Sequence, residues 1–447
     1  MKTTLFRLTL LLAALLMLFT GCAKSGDDDD HASDDDSVDD DSIDDDTADD
    51  DSAADDDSAS DDDSIDDDTF DDDSVDDDSV DDDSVDDDTL PDDDSVDDDS
   101  ADDDTITCEC DMVRRPYLQR VTQNSIKILW NTLPKGTTIV EYGLTPDLGQ
   151  QVVVPGLRMG HKVHLTGLQT ETNYYYRVRS CEAESEIYSF HTAPEFDTPF
   201  RFTAYADSQD NPDIHGQIAA LVKEAAPDLM IHSGDSVSTG WTPSEFDTKL
   251  FGPLQDVLPE TPIYIAIGNH EGESIFFYST FDFGDFNGRY TFTYGNTFFL
   301  AFDAQLLVYP WSPQYQWIEE QLASDAAQNA EFIVVFDHQP PYSEGWDTYE
   351  GTMPIRNYLV PLFEDYGVDA VFNGHTHDYE RGTLNGVTYF IVGGGGGGLD
   401  GWARDFEHIV FYRACHHFVR ADVDGNTMTL TAIDTDGVEF DTYQIVH

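Results

Sequence analysis

The stretch Gly374-His375-Thr376-His377-Asp378-Tyr379-Glu380-Arg381 sets two histidines one residue apart, directly after the apolar run Asp369-Ala-Val-Phe-Asn373. In an extended segment residues i and i+2 share a face. Two imidazoles on one side, at the exit of a buried strand, can hold a transition metal. A single H-x-H is modest evidence. It gains force because four other apolar runs end in the same way.

Those runs lie beyond residue 196 and alternate with helical patterns. Phe200–Tyr205 is followed by Asp207-Ser208-Gln209, Leu229–Ile231 by Ser233-Gly234-Asp235, Ile263–Ile267 by Gly268-Asn269-His270-Glu271, and Phe332–Phe336 by Asp337-His338-Gln339. Runs that are apolar on both faces suit strands covered on both sides. Ile214, Ile218, Leu221, Val222 and Ala225 share a helical face that Pro227 ends, and Trp317, Ile318, Leu322 and Ala326 share another. The region 196–447 therefore reads as α/β, with C-terminal hairpins turning at Asp424-Gly425 and Asp436-Gly437. Such folds place their sites at the carboxyl ends of the strands. Asp207, Asp235, Asn269, His338, His375 and His377 are too many ligands for one four-coordinate ion. They suit two metals sharing a carboxylate, an arrangement fitted to displacement at phosphorus.

The rest of the chain of 447 residues differs in kind. Residues 1–22 have a basic start, an apolar core and Thr20-Gly21-Cys22, the form of a secretory leader. The ending resembles a bacterial lipobox that would make Cys22 a lipidated N-terminus and membrane anchor at the cell surface. An ordinary cut nearby, with Cys22 incidental, is the plainer alternative, and Phe19 stands where lipoboxes usually carry Leu. Within 23–110, residues 27–104 hold 46 Asp and no Lys or Arg, in a repeat of Asp-Asp-Asp-(Ser/Thr)-x. A period of five matches neither helix nor strand, and so dense a charge cannot bury a core. A disordered, self-repelling spacer is expected, able to gather Ca²⁺ loosely. This segment carries most of the formal charge of −72; residues 105–447 hold 47 acidic and 18 basic residues. Binding of nucleic acid by a basic face is excluded on that balance. Residues 111–195 carry alternating strands such as Ser125–Trp130 and Tyr174–Val178, punctuated by Pro and Gly turns, which suggests an all-β sandwich. Its lone histidines, His161, His164 and His191, read as strand or surface residues, and His215, His232, His408, His416 and His417 as non-ligands. Cys108, Cys110, Cys181 and Cys415 allow three pairings.

The ordered set D-x-Q, GD, GNHE, H and GHTH resembles the calcineurin-type metallophosphoesterases, and the preceding β domain with Gly374–Arg381 resembles the purple acid phosphatases. Leu168–Tyr174 is similar to the tyrosine corner of fibronectin type III-like domains. The resemblance implies a four-layer αββα sandwich behind a fibronectin III-like domain, and an acid phosphatase-like hydrolase. It implies that Asp207 and His377 bind one metal, that Asn269, His338 and His375 bind the other, that Asp235 bridges, and that metal-bound hydroxide attacks phosphorus while His270 serves the leaving group. The metals would be Fe, Zn or Mn. Two departures stand out. Ser238 replaces the tyrosine that purple acid phosphatases carry three residues after the bridging aspartate. Gln209 stands where many metallophosphoesterases have a histidine ligand, so its oxygen is either a further ligand or an outer support. Asp378, Tyr379, Glu380 and Arg381 are expected to orient the site, the run Gly393–Gly398 to let backbone pass close to it, and loops 342–348 and 399–406 to set the substrate. The expected substrate is a phosphate monoester. A phosphodiesterase or nucleotidase on the same metals is the alternative, and a non-catalytic calcium-binding surface protein a third reading.

Overall fold

The computed structural model describes residues 108–283 and 288–447. The leader, Cys22 and the Asp-rich repeat with its Ca²⁺ lie outside the described residues. The described residues fall in one compact unit.

The first part is all antiparallel: β1 (Asp111–Gln119), β2 (Ser125–Gly143), β3 (Gln150–Thr166), β4 (Asn173–Ser180), β5 (Ala183–Glu184) and β6 (Tyr188–His191). The long β2 pairs with β1, β3 and β4, and its register with β3 breaks between Asn131 and Thr138. Alternation explains the packing: Ile126, Ile128 and Trp130 point inward, and Tyr174, Tyr176 and Val178 do the same from β4. The Tyr174 hydroxyl accepts from the Gln169 backbone N–H at 3.0 Å, five residues upstream. Cys108 and Cys181 form a disulfide, while Cys110 and Cys415 are free.

Two sheets follow. One is built on β7 (Phe200–Tyr205), β8 (Leu229–His232) and β9 (Ile263–Ile265), all parallel. The other contains β10 (Tyr290–Tyr294), β11 (Thr297–Ala301), β12 (Phe332–Phe336), β13 (Ala370–Asn373), β14 (Tyr379–Leu384), β15 (Val387–Val392) and β16 (Ile409–Arg413) in the order β10-β11-β12-β13-β15-β14-β16. The C-terminal strands β17 (His417–Asp424), β18 (Thr427–Asp434) and β19 (Glu439–Val446) complete the first sheet through an antiparallel β17–β7 pair. The inner faces of both sheets share a core with the N-terminal part, from Leu118 and Trp130 through Phe202 and Ala204 to Phe299, Val334 and Phe372. Helix α1 (Pro212–Ala225) starts at Asn211, whose side chain accepts from the Asp213 and Ile214 N–H groups, and buries Ile218, Ala219 and Val222 on an outer face. The N-terminal part is bonded to the rest: Tyr176 Oη donates to Pro259 O at 2.8 Å and Tyr264 Oη to Val121 O at 3.2 Å.

One helix differs from its pattern. Trp317, Ile318 and Leu322 lie in α2 (Pro313–Leu322), but Ala326 belongs to a separate short turn, 325–328. Ser324 is the cause. Its hydroxyl donates to Gln321 O and accepts from Ala327 N, which ends one helix and caps the next.

Candidate metal centre

The strands β7, β8 and β9 are parallel in one sheet and β12 and β13 are parallel in the other, and the turns that follow all five carry the ligand candidates. Three of those candidates have left-handed backbones: Asp207 (φ 59°), Asp235 (φ 55°) and His375 (φ 73°). Such conformations cost energy in non-glycine residues and persist only where the surroundings impose them. Glu271 supplies much of that constraint. Its buried carboxylate accepts from the N–H groups of Asp235 (2.9 Å), Ser236 (2.7 Å) and Gly268 (2.7 Å), and so pins two strand ends together. Asp207 in turn accepts from the His375 N–H at 2.9 Å.

His338 is fully buried, and its Nδ1 donates to the Ser233 carbonyl at 2.9 Å. Its Nε2 lies 3.0 Å from Asn269 Oδ1, 3.0 Å from Asp235 Oδ2 and 3.3 Å from His375 Nδ1. These groups are acceptors when the imidazoles are neutral, and acceptors converge only around a cation. Asp235, His338 and His375 can bring one ligand atom each within 4.8 Å of one another. Without a metal, a proton has to serve. Burial opposes charge on His338, but Asp235, and behind it Asp207, holds the imidazole protonated up to about 10. Burial opposes ionisation of Asp235 as well, yet the His338 charge wins and keeps its carboxyl below the usual range. His375, by burial and by the neighbouring His338, is pushed down to about 3 and stays a lone-pair donor.

A second group adjoins the first. His377 Nδ1 donates to Gly398 O at 2.6 Å, which aims Nε2 inward, 3.6 Å from Asp207 Oδ1 and 3.4 Å from the Gln209 amide. Asp207 is fully buried, its Oδ1 has no hydrogen-bond partner, and Gln209 Oε1 has none either. Burial, followed by the charge of Asp235, pushes the Asp207 carboxyl well above its ordinary value despite His338. Orphaned buried oxygens of this kind fit a cation. The residues present therefore suit metal ions, with Asn269, His338 and His375 on one side, Asp207, His377 and Gln209 on the other, and Asp235 among them. The cleft above is about 140 Å³, lined by Asp235, Asn269, His270, Trp346, His375, His377 and Asp400.

His270 is exposed. Its Nδ1 donates to Ser238 O at 2.8 Å, and its Nε2 lies 3.9 Å from Asp235 Oδ2. Ser238 is drawn away from the centre, its hydroxyl donating to Gln209 O at 3.1 Å while the Lys249 ammonium donates to it. The glycine run passes as close as expected: a Cβ on Gly397 would come within 2.6 Å of the His377 ring, and one on Gly393 within 2.9 Å of Asp207 Oδ2. Glu380 accepts from Ser343 Oγ and the Glu344 and Gly345 N–H groups, whereas Tyr379 and Arg381 donate to Asp441. Asp378 is buried beside them with both oxygens unpartnered. Other histidines are tied elsewhere, His215 to Tyr205 and Lys249 O, His232 to Ser208, and His417 to Cys415 O. Glu271 lies inside the GNHE motif, where a carboxylate next to Asn269 and His270 is the available sign of its pinning role. Asp400 accepts from the His377 N–H at 2.8 Å; the sequence places it in the loop 399–406 expected to set the substrate, with nothing to mark it as a support for His377.

Known proteins agree with this architecture. The sequence profile of calcineurin-like phosphoesterases matches residues 200–379, and that of the purple acid phosphatase N-terminal domain matches residues 114–192. Purple acid phosphatase 15 of Arabidopsis thaliana is 27% identical over 311 residues, 59% of this chain and 58% of its own length. Purple acid phosphatase 18 of the same plant is 27% identical over 318 residues, 63% of this chain and 70% of its own. The chain thus spans little more than half of the first of these relatives. Among solved structures, purple acid phosphatase PPD1 from yellow lupin (Lupinus luteus) seeds superposes with a TM-score of 0.66 at 20% identity, over 74% of each chain. Over residues 114–379 the chain accordingly carries a stretch matching the N-terminal domain of purple acid phosphatases followed by one matching the calcineurin-like phosphoesterase domain.

Proposed function

We propose that the protein is an extracytoplasmic phosphatase that hydrolyses phosphate monoesters at two metal ions held by Asp207, Asp235, Asn269, His338, His375 and His377. The observation that carries this reading is the convergence of Asn269 Oδ1, Asp235 Oδ2 and His375 Nδ1 on His338 Nε2 at 3.0–3.3 Å. When bound, the ions acidify a water and offset the charge that gathers on the phosphoryl oxygens. The chain does the rest. Asn269, at the open edge, directs its Oδ1 at this centre, and Asp235 carries negative charge into it. His270 donates through Nδ1 to Ser238 O, so in the imidazolium form the Nε2 proton is the one free to pass to a departing alkoxide.

The extracytoplasmic setting rests on the leader and is supported by the Cys108–Cys181 disulfide. Lipidation at Cys22 belongs to the same proposal; Cys22→Ala should lose metabolically incorporated fatty acid, and an unlabelled wild-type protein would remove the anchor.

The central test is turnover. Purified full-length protein supplied with Mn²⁺, Zn²⁺ or Fe should release phosphate from an aryl monoester faster than it cleaves the matching diester. No release with any of the metals would sink the proposal, and faster diester cleavage would replace it with the diesterase reading. His270→Ala should lower kcat on that monoester about 100-fold with metal content unchanged.

A further inference from the structure

We propose that Trp346 is the platform on which the organic part of the substrate lies, and that it selects esters carrying a flat, uncharged aromatic ring next to phosphorus. This rests on the phosphatase reading above.

Among the described residues, Trp346 is the one apolar side chain lining the metal cleft, beside carboxylates, an amide and imidazoles. It is 40% exposed, and its ring centre is 5.4 Å from that of His375. Tyr349 braces it at 5.6 Å and packs edge-on against His375 at 4.6 Å. A tryptophan kept for packing would be buried, whereas this one is held up at a mouth. Its backbone is left-handed, φ 61°, a conformation that costs a bulky residue energy.

The structure holds it there by a dedicated clamp. The Arg404 guanidinium donates to the carbonyls of Ser343, Gly345, Trp346, Asp347 and Tyr349. The Trp346 N–H donates to Gly401 O at 3.3 Å, and Gly345 bridges to Trp402. Five carbonyls gathered by one cation fix the loop before any ligand arrives, so little order has to be bought on binding. Other exposed tryptophans, Trp241, Trp311 and Trp402, do not line the cleft.

Charge narrows the choice further. No Lys or Arg lines the cleft among the described residues, and Asp400 does. A second anionic group on the substrate would meet no partner there, while an uncharged ring would stack on the indole face.

The test uses phosphonates, which bind without turning over. In calorimetric titrations of the purified, metal-loaded full-length protein, phenylphosphonate should bind about five- to tenfold tighter than cyclohexylphosphonate, a stacking preference at matched size. Trp346→Ala should erase that preference and leave methylphosphonate within about twofold of wild type, while Trp346→Phe keeps most of it. Elemental analysis checks that the variants hold the same metal, and Trp311→Ala is the control for an exposed tryptophan outside the cleft. Equal binding of the two rings by the wild type, a comparison that needs no variant, overturns the proposal. So does a preference that survives in Trp346→Ala. If the phosphonates discriminate as expected but no monoester is hydrolysed, the platform stands and the phosphatase reading falls. If no phosphonate binds, the platform falls, and release of phosphate from the aryl monoester decides the phosphatase reading by itself.

Discussion

His161 and His338 are both buried histidines in β-rich surroundings, and they do opposite things. His161 sits in the N-terminal sheet, stacked on Trp130 at 4.7 Å. Its Nε2 meets Thr132 Oγ1 at 2.8 Å and its Nδ1 meets Thr138 Oγ1 at 2.7 Å. Hydroxyls can donate or accept, so both nitrogens are satisfied and the ring needs no charge; burial pushes it down to about 4. His338 has one nitrogen satisfied and the other facing only acceptors. A closed hydrogen-bond circle marks a structural histidine, and an open one calls for a cation. Burial alone separates nothing here, since both side chains are buried.

The comparison breaks most readily at its open end. His338→Ala should cost about 10³-fold or more in phosphoester turnover and lower the bound metal, read by elemental analysis. A variant that keeps both would show that the convergence on Nε2 is packing. Next in size is Asp303, beyond β11, whose buried Oδ2 has no partner. Burial raises its carboxyl to about 7 from an ordinary 3.8. The folded state then binds this proton more tightly than the unfolded state, so the stability it contributes is full below pH 4 and is lost as pH rises through 7. That loss is on the order of 4 kcal/mol. Asp303→Asn should flatten it, gaining most at pH 8 and nothing at pH 3.5, as chemical denaturation at several pH values would read. A third change addresses the closed end: His161→Ala should destabilise by about 3 kcal/mol and leave kcat untouched, because it strands two hydroxyls and a packing space far from the centre. Smallest is Tyr174→Phe, which removes the hydroxyl that bonds Gln169 N and should cost about 1 kcal/mol in thermal unfolding.

The five strand ends were legible because strands covered on both faces leave uninterrupted apolar runs, and the residues after them stand out as Asp, Asn and His. The glycine run was legible for the complementary reason, since nothing larger fits against His377. Other parts of the site depend on contacts between distant stretches. Arg404 holds the loop around Trp346 from 58 residues away, and Glu271 pins Asp235 from 36 residues away. Neither pairing has a periodicity or spacing to betray it. Ser324 shows the converse limit. The apolar spacing from Trp317 to Ala326 favours one helix, but a single hydroxyl that satisfies Gln321 O and Ala327 N divides it. Which left-handed turns would carry ligands was also hidden, because Asp207, Asp235 and His375 take those shapes only under tertiary constraint.

The disulfide between Cys108 and Cys181 has a mechanical consequence. Cys108 precedes β1, and Cys181 directly follows β4 in the same sheet. Tension arriving from the amino-terminal chain would therefore bypass β1 and enter the sheet at β4, whose neighbours on either side share the load. Reduction would redirect the same tension along β1 and peel it from β2, so a single-molecule pulling trace should gain the length of residues 109–180 only once reductant is added.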